Sequence, residues 1–363
     1  MNIRRDISRS NRMDAPRGSS ENPVRIGFIQ LTDAAPIIVA AERGYFSRLG
    51  IHVELHRELG WASIHDRILF GEIDFAHSLG PIPLASSLGL NGLPIDCVGL
   101  SLLSRNGNSI TLSNQFEEAG IKTAKDFATF VKSEKWHRHF IFGVVSPASS
   151  HRYLLSKWLQ GIGLTPGQDV EIVNLPPGQF LRNIEARTID GACVGAPWGL
   201  LATQKNVGVR IATSMDIAPN HPEKILIANR KLYESESDLC AKVIAATTIG
   251  GLFCEQDPAT TADILSQENY LNQPSHQIFE SIPSFTSGAA SSNPLKTQDG
   301  IHFGTPSDFE VTPNDRLWFA RCLKEAYPNA MNIPQNTKDL AAFYPSTKSI
   351  ALPYIQKIQS VLV

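Results

Sequence analysis

The chain predicts an α/β fold of two similar lobes facing each other across a ligand cleft. Three observations carry this expectation. At 363 residues the chain exceeds a single hydrophobic core, which calls for two domains. Short apolar runs alternate with helical patterns, as in mostly parallel sheets covered by helices. One unit also occurs twice: residues 61–81 (WASIHDRILFGEIDFAHSLGP) and 177–197 (PGQFLRNIEARTIDGACVGAP) each run helix, turn, strand. Aligning Ile73-Asp74 with Ile189-Asp190 also aligns Ala76 with Ala192 and Pro81 with Pro197.

The elements follow in order. Residues 24–31 alternate like a strand, Asp33 is placed to cap a helix over 34–43, and Gly44 closes that helix. Tyr45-Phe46 pack back, and residues 50–55 form a second alternating strand. In the first repeat Ile64, Ile68 and Leu69 fall at helical spacing, and the turn at Gly71 leads into a strand from Ile73. A helix near 84–88 and a buried strand over 95–102 come next, and a strand over 109–112 leads out of the first lobe. Thr123-Ala124-Lys125-Asp126 opens the second lobe with a helix. A strand over 140–145, a helix over 151–161, a strand over 170–175 and the second repeat complete it. After a strand at 209–213, the strand at 225–228 returns to the first lobe. Beyond 237 the pattern is mainly helical, clearest over 242–253, 259–265 and 316–326. The Pro- and Ser-rich stretch 274–306 reads as a long loop wrapping the first lobe. Lobe I is therefore expected over 24–112 plus 226–363 and lobe II over 113–225, after a disordered polar tail at 1–23.

Composition removes several function classes. A net charge of −2 leaves no electrostatic footprint for direct nucleic-acid binding or an anionic membrane, and 42% hydrophobic with 19% charged residues is ordinary for a soluble protein. The five cysteines are scattered in apolar contexts without a C-x-x-C pair, so they read as buried thiols rather than as a zinc site or disulfide framework. The arginines of residues 1–23 are not followed by the apolar run of about 7–15 residues of a secretory signal. No segment reads as a membrane helix, and the expected location is cytoplasmic. The nucleophile-elbow, Walker, H-E-x-x-H and dinucleotide signatures are missing, so no enzyme, cofactor or metal is expected.

Turns after strands in facing α/β lobes aim free helix N–H groups at a ligand. Trp61, Asn108, His151, Gly195 and Lys224 stand at such turns or at the two crossings between lobes. They offer neutral donors, a ring and a single positive charge, a set suited to a small anion. Each also has a structural explanation. Trp61 can staple its helix, His151 can cap one, Lys224 can be a solvated charge, and Asn108 can be a turn residue, as Asp74 and Asp190 can.

The runs G-Y-F-x-x-x-G-I-x-V at 44–53, G-x-I-D-x-A-H at 71–77, Ser-Ser-His-x-Tyr-x-Leu-x-x-Trp-Leu at 149–159, I-D-G-x-x-V-G-x-P-W at 189–198 and His-Pro-Glu-Lys at 221–224 resemble the nitrate- and bicarbonate-binding branch of the ABC-transporter substrate-binding proteins. The resemblance spans about residues 24–345. It implies a two-lobe, type II periplasmic-binding-protein-like clamp, with nitrate or nitrite held by Trp61, Asn108, His151, Gly195 and Lys224. Asn108 stands where the family usually has glutamine, and Ala196 where the transport proteins carry glutamate. Bicarbonate binders of the branch have an acidic residue in place of Lys224 and recruit a metal cation, whereas a lysine suits a bare anion. Within the branch the chain is similar to the cytoplasmic nitrate/nitrite sensors of the NasS type. These hold a NasT-like, ANTAR-type RNA-binding antiterminator and release it when ligand binds, controlling nitrate-assimilation genes. The alternative implied is the binding subunit of a nitrate ABC transporter.

Overall fold

A computed structural model describes residues 15–90, 92–282 and 300–362. The strands are β1 (Val24–Ile29), β2 (Val53–Glu58), β3 (Phe75–Leu79), β4 (Cys97–Arg105), β5 (Asn108–Ser113), β6 (Ile141–Val144), β7 (Glu171–Asn174), β8 (Gly191–Gly195), β9 (Gly208–Thr213), β10 (Pro222–Asn229) and β11 (His302–Phe303). They form two sheets, β2-β1-β3-β10-β4-β11 and β7-β6-β8-β5-β9. In each, the first three strands are parallel and the fourth is antiparallel to its neighbours. The repeat seen in the sequence supplies the third strand of each sheet, β3 and β8.

The paired aspartates show why the repeat exists. Asp74 accepts the Arg25 backbone N–H at 2.8 Å and Asp190 that of Ile141, also at 2.8 Å. Each thereby ties the start of the third strand to the start of the first, β1 or β6. Each is also clasped by an arginine, Arg25 or Arg138. A carboxylate that satisfies both a strand-end N–H and a guanidinium is a charge-assisted clip, stronger than a neutral hydrogen bond.

The boundaries differ from the expected ones. Asn108–Ser113 belongs to the second sheet and Pro222–Asn229 wholly to the first, so the crossings lie at Asn106-Gly107 and between Ser214 and His221. Apolar alternation alone does not say which of two sheets a strand joins. Residues 15–23, expected within a disordered tail, are in place: Arg17 bridges Asp74 and Glu236, and the Gly18 carbonyl accepts from the His52 N–H. The rest of that tail, and residues 283–299 of the expected long loop, lie outside the described residues. Around them, Ser275–Phe279 is helical and His302–Phe303 adds to the edge of the first sheet.

The helix Ser237–Gln256 is long and apolar enough to cross a membrane, contrary to the expectation that no segment reaches that length. It is a core helix, mostly buried. At Gly250 an added Cβ would lie 2.1 Å from the Pro36 carbonyl oxygen, so the helix Ala35–Glu42 packs backbone to backbone against it. All five cysteines are buried and free. One buried apolar cluster spans both lobes, joining Ile29, Leu31 and Trp61 to Ala148, Val194 and Trp198. A backbone bond crosses with it: Thr32 N–H donates to the Ala196 carbonyl at 2.9 Å. Trp198 Nε1 donates to the Gln30 carbonyl at 3.0 Å. The lobes are closed upon each other.

Candidate functional site

The five candidate residues meet where the sheets' C-terminal ends face each other. Trp61 is the first residue of the helix Trp61–Leu69, which Gly60 precedes in extended conformation. Asn108 opens β5 directly opposite Gly195, the last residue of β8. His151 lies in the first turn of the helix Ser150–Gly161, capped by Ser149, whose hydroxyl accepts the Arg152 N–H at 3.2 Å. Lys224 is on β10. A Cβ added to Gly195 would stand 3.5 Å from Asn108 Oδ1 and 3.6 Å from His151 Nε2. The Lys224 ammonium lies 5.8 Å from the centre of the Trp61 ring.

Asn108, His151 and Lys224 are fully buried and Trp61 is nearly so. Even so, Trp61 Nε1, both polar atoms of the Asn108 amide and both His151 ring nitrogens have no hydrogen-bond partner in the protein. Buried polar atoms are ordinarily satisfied, and each left alone costs about 1–3 kcal/mol. Several orphans converging on a glycine that leaves room between them describe a polar ligand site. The structural explanations for Trp61, His151 and Lys224 do not account for this: Ser149, not His151, caps the helix, and Lys224 is far from solvent.

Lys224 is not the lone charge that the sequence suggests. Its Nζ lies 2.9 Å from Asp33 Oδ2 and 2.7 Å from Glu223 Oε1. Asp33, expected to cap a helix, makes no cap. It faces Lys224 on one side and His77 Nε2, 2.9 Å away, on the other. His77 Nδ1 receives the Ile29 N–H at 3.5 Å, which leaves Nε2, beside Asp33, to carry the ring proton. Glu223 lies 3.7 Å from both His151 Nδ1 and His221 Nδ1. His221 stacks on Trp318, rings 5.2 Å apart and parallel within 2°.

Successive strand residues normally point to opposite faces. Pairing of β10 with β4 slips between Pro222 and Lys224 and again between Lys224 and Ile225. The irregularity falls where the Glu223 and Lys224 side chains meet, and bulges commonly re-aim side chains near sites.

Electrostatics follow from these contacts. Burial pushes the Asp33 carboxyl up, but Lys224 and His77 outweigh it and bring it down to about 2. Burial likewise raises Glu223, and Lys224 with His151 and His221 more than offsets this, so it stays below its ordinary value. Burial lowers Lys224, yet Asp33 and Glu223 hold it above its usual range. Burial takes His151 down to about 4 and also lowers His77 and His221. At neutral pH the two carboxylates and the ammonium are charged and the three imidazoles neutral. Among the described residues no group of three or more His, Cys, Asp or Glu side chains is set to hold a metal ion.

Another opening, of about 680 Å³, lies between the lobes and includes Trp61 in its wall, lined mostly by apolar residues such as Leu69, Ile82, Pro147 and Pro176.

Comparison with known proteins adds the following. The NMT1-like family profile matches residues 17–267. The nitrate import ATP-binding protein NrtC of Synechocystis sp. is 43% identical over 203 residues, 55% of this chain and 30% of that protein. The bicarbonate transport ATP-binding protein CmpC of Synechococcus elongatus is 34% identical over 269 residues, 73% of this chain and 40% of that protein. The chain thus spans well under half the length of these two relatives. The nitrate/nitrite binding protein NrtA of Synechococcus elongatus is 30% identical over 284 residues, 73% of this chain and 64% of that protein. The crystal structure of the periplasmic nitrate-binding protein NrtA from Synechocystis PCC 6803 superposes with a TM-score of 0.80 over 92% of this chain and 88% of that one. At 23% identity this shows a shared fold.

Proposed function

The chain belongs to the NMT1-like family, in the nitrate- and bicarbonate-binding branch of the substrate-binding proteins, and from that premise we propose that it is a nitrate/nitrite-binding clamp. This is a family of binding proteins, not of enzymes. The observation that carries the proposal is the set of orphaned buried groups around Gly195, with a buried ammonium beside them. Nitrate is planar, monovalent and weakly basic, so several neutral donors can replace its hydration. The Trp61 indole N–H, the Asn108 amide and a His151 ring N–H would donate to its oxygens. The Gly195 backbone leaves the anion room, and Lys224 supplies nearby positive charge. Closed lobes exclude water and so strengthen every such contact.

We assign this clamp to sensing in the cytoplasm. Nitrate or nitrite would release a NasT-like, ANTAR-type RNA-binding antiterminator that the clamp otherwise holds. The Ser-Ser-His and His-Pro-Glu-Lys runs support the nitrate-binding branch to which such sensors belong. Ligand-driven release requires the partner to bind one clamp state better than the other. The other reading is the binding subunit of a nitrate ABC transporter, which the names of the relatives favour.

Calorimetric titration with nitrate, nitrite and bicarbonate tests the ligand. Heat of binding with nitrate or nitrite is expected, and silence with both removes the anion assignment. Copurification with an ANTAR-type protein that nitrate dissociates identifies the sensor. Stimulated nitrate uptake through a permease, without such a complex, identifies the transport subunit.

A further inference from the structure

We propose that the anion enters this site together with one proton, taken up from solvent by His151, and that Asp33 and Glu223 impose this requirement. The inference rests on the nitrate reading and concerns the charge of the same pocket. Two buried carboxylates against one buried ammonium leave the ligand-free cluster with one negative charge. An anion arriving alone would put a second uncompensated negative charge into a closed, water-poor space, which is strongly unfavourable. A cation has to come with it.

His151 is the group placed to become that cation. Its Nε2 faces the space beside Gly195 and Asn108, and its Nδ1 lies 3.7 Å from Glu223 Oε1, neither having a partner. As an imidazolium it donates from both sides, to the anion and to Glu223. The other imidazoles are less suited. His77 has Nδ1 taken by the Ile29 N–H and Nε2 2.9 Å from Asp33 Oδ1, and His221 has Nδ1 turned to the Pro222 carbonyl at 3.3 Å and its face against Trp318. The charged and titratable groups around His151 are Glu223 and Lys224 on β10, His221 ahead of it and Asp33 after β1. Cys193 on β8 and Cys322 on the helix Pro313–Ala326 lie close to the same carboxylate and stay protonated.

The ligand-free ring sits near pH 4, held there first by burial. Contact with an anion raises it toward neutrality, so a proton is taken up when binding occurs between these limits. Linkage fixes the sign: through that window, affinity rises as pH falls, by at most about tenfold per pH unit. A divalent anion would need two protons, and the geometry offers one ready acceptor, so sulfate is rejected.

The test is calorimetry of the full chain with nitrate at pH 5.5 and 8, at pH 5.5 in buffers of different ionisation enthalpy. The expected results are close to one proton taken up at pH 5.5, nitrate bound about tenfold or more tighter there than at pH 8, and no sulfate binding. Glu223→Gln, which balances the cluster, is expected to lose most of the proton uptake. Nitrate binding with no proton taken up and equal affinity at both pH values overturns the proposal and leaves the nitrate reading standing, as does sulfate binding of similar strength. Silence with nitrate at both pH values removes the nitrate reading, and this inference with it. The wild-type proton count decides the matter even where the variant does not fold.

Discussion

Gly195→Ala separates ligand binding from folding within one methyl group. The glycine is not in the left-handed region, so alanine meets no backbone penalty there. The new Cβ would touch Leu31 Cδ2 at 3.3 Å, the end of a flexible side chain, and would otherwise lie 3.5–3.6 Å from Asn108 Oδ1 and His151 Nε2. The fold should therefore change by less than about 1 kcal/mol, partly offset by the smaller freedom of alanine in the unfolded chain. The pocket changes much more, because the methyl occupies space between two of the orphaned groups. If the anion is displaced from both, it forgoes about 1–1.5 kcal/mol for each bond, or roughly 30- to 150-fold in affinity. Titration calorimetry with nitrate, paired with thermal unfolding of the ligand-free variant, measures both quantities. Affinity within about threefold of the parent, with the melting curve unchanged, would refute the placement of the ligand between Asn108 and His151.

Other outcomes follow from the same contacts. Lys224→Met leaves Asp33 and Glu223 buried without their cation and should cost about 3–5 kcal/mol in denaturant unfolding; adding Glu223→Gln should recover part of that loss. Gly250→Val drives a side chain into the Pro36 carbonyl and should destabilise by roughly 1–3 kcal/mol or more, read as a lower melting temperature, with the candidate site residues untouched. Acidification should destabilise the ligand-free protein in two stages. His151, lowered from 6.5 to about 4, binds its proton in the unfolded chain first, so stability falls as pH drops through that interval. Asp33, lowered from 3.8 to about 2, then contributes stability that is lost between those values. Chemical denaturation from pH 7 to pH 2 checks this, and a profile flat from 6.5 to 4 would contradict the buried neutral imidazole.

Much of this architecture was legible in the sequence. The duplicated helix–turn–strand unit predicts two sheets built alike, because a carboxylate clip at Asp74 and at Asp190 imposes the same spacing in both. The five candidate site residues stand at turns, and the structure gathers them. Their environment was less legible. Asp33 has the residue type and position of a helix cap, and only the arrival of β10, far along the chain, gives it Lys224 as a partner. His77 and Glu223 lie inside recognisable motifs, yet strand alternation would send Glu223 and Lys224 to opposite faces rather than into contact. The slipped register at these two residues depends on pairing with β4, which local sequence does not encode. For the same reason the assignment of residues 108–113 to the second sheet had no local signal.

The two crossings between lobes bear on how a small ligand could be read by something large. One is only Asn106-Gly107, and Asn108 follows it at once; the other ends at His221, immediately before the strand that carries Glu223 and Lys224. The anion would thus lie at the fulcrum. Atoms there are displaced by a fraction of an ångström for any rotation of one lobe against the other, whereas those at a distance move in proportion to their lever arm. A ligand of a few atoms need only decide the angle, and the length of the lobes does the amplifying.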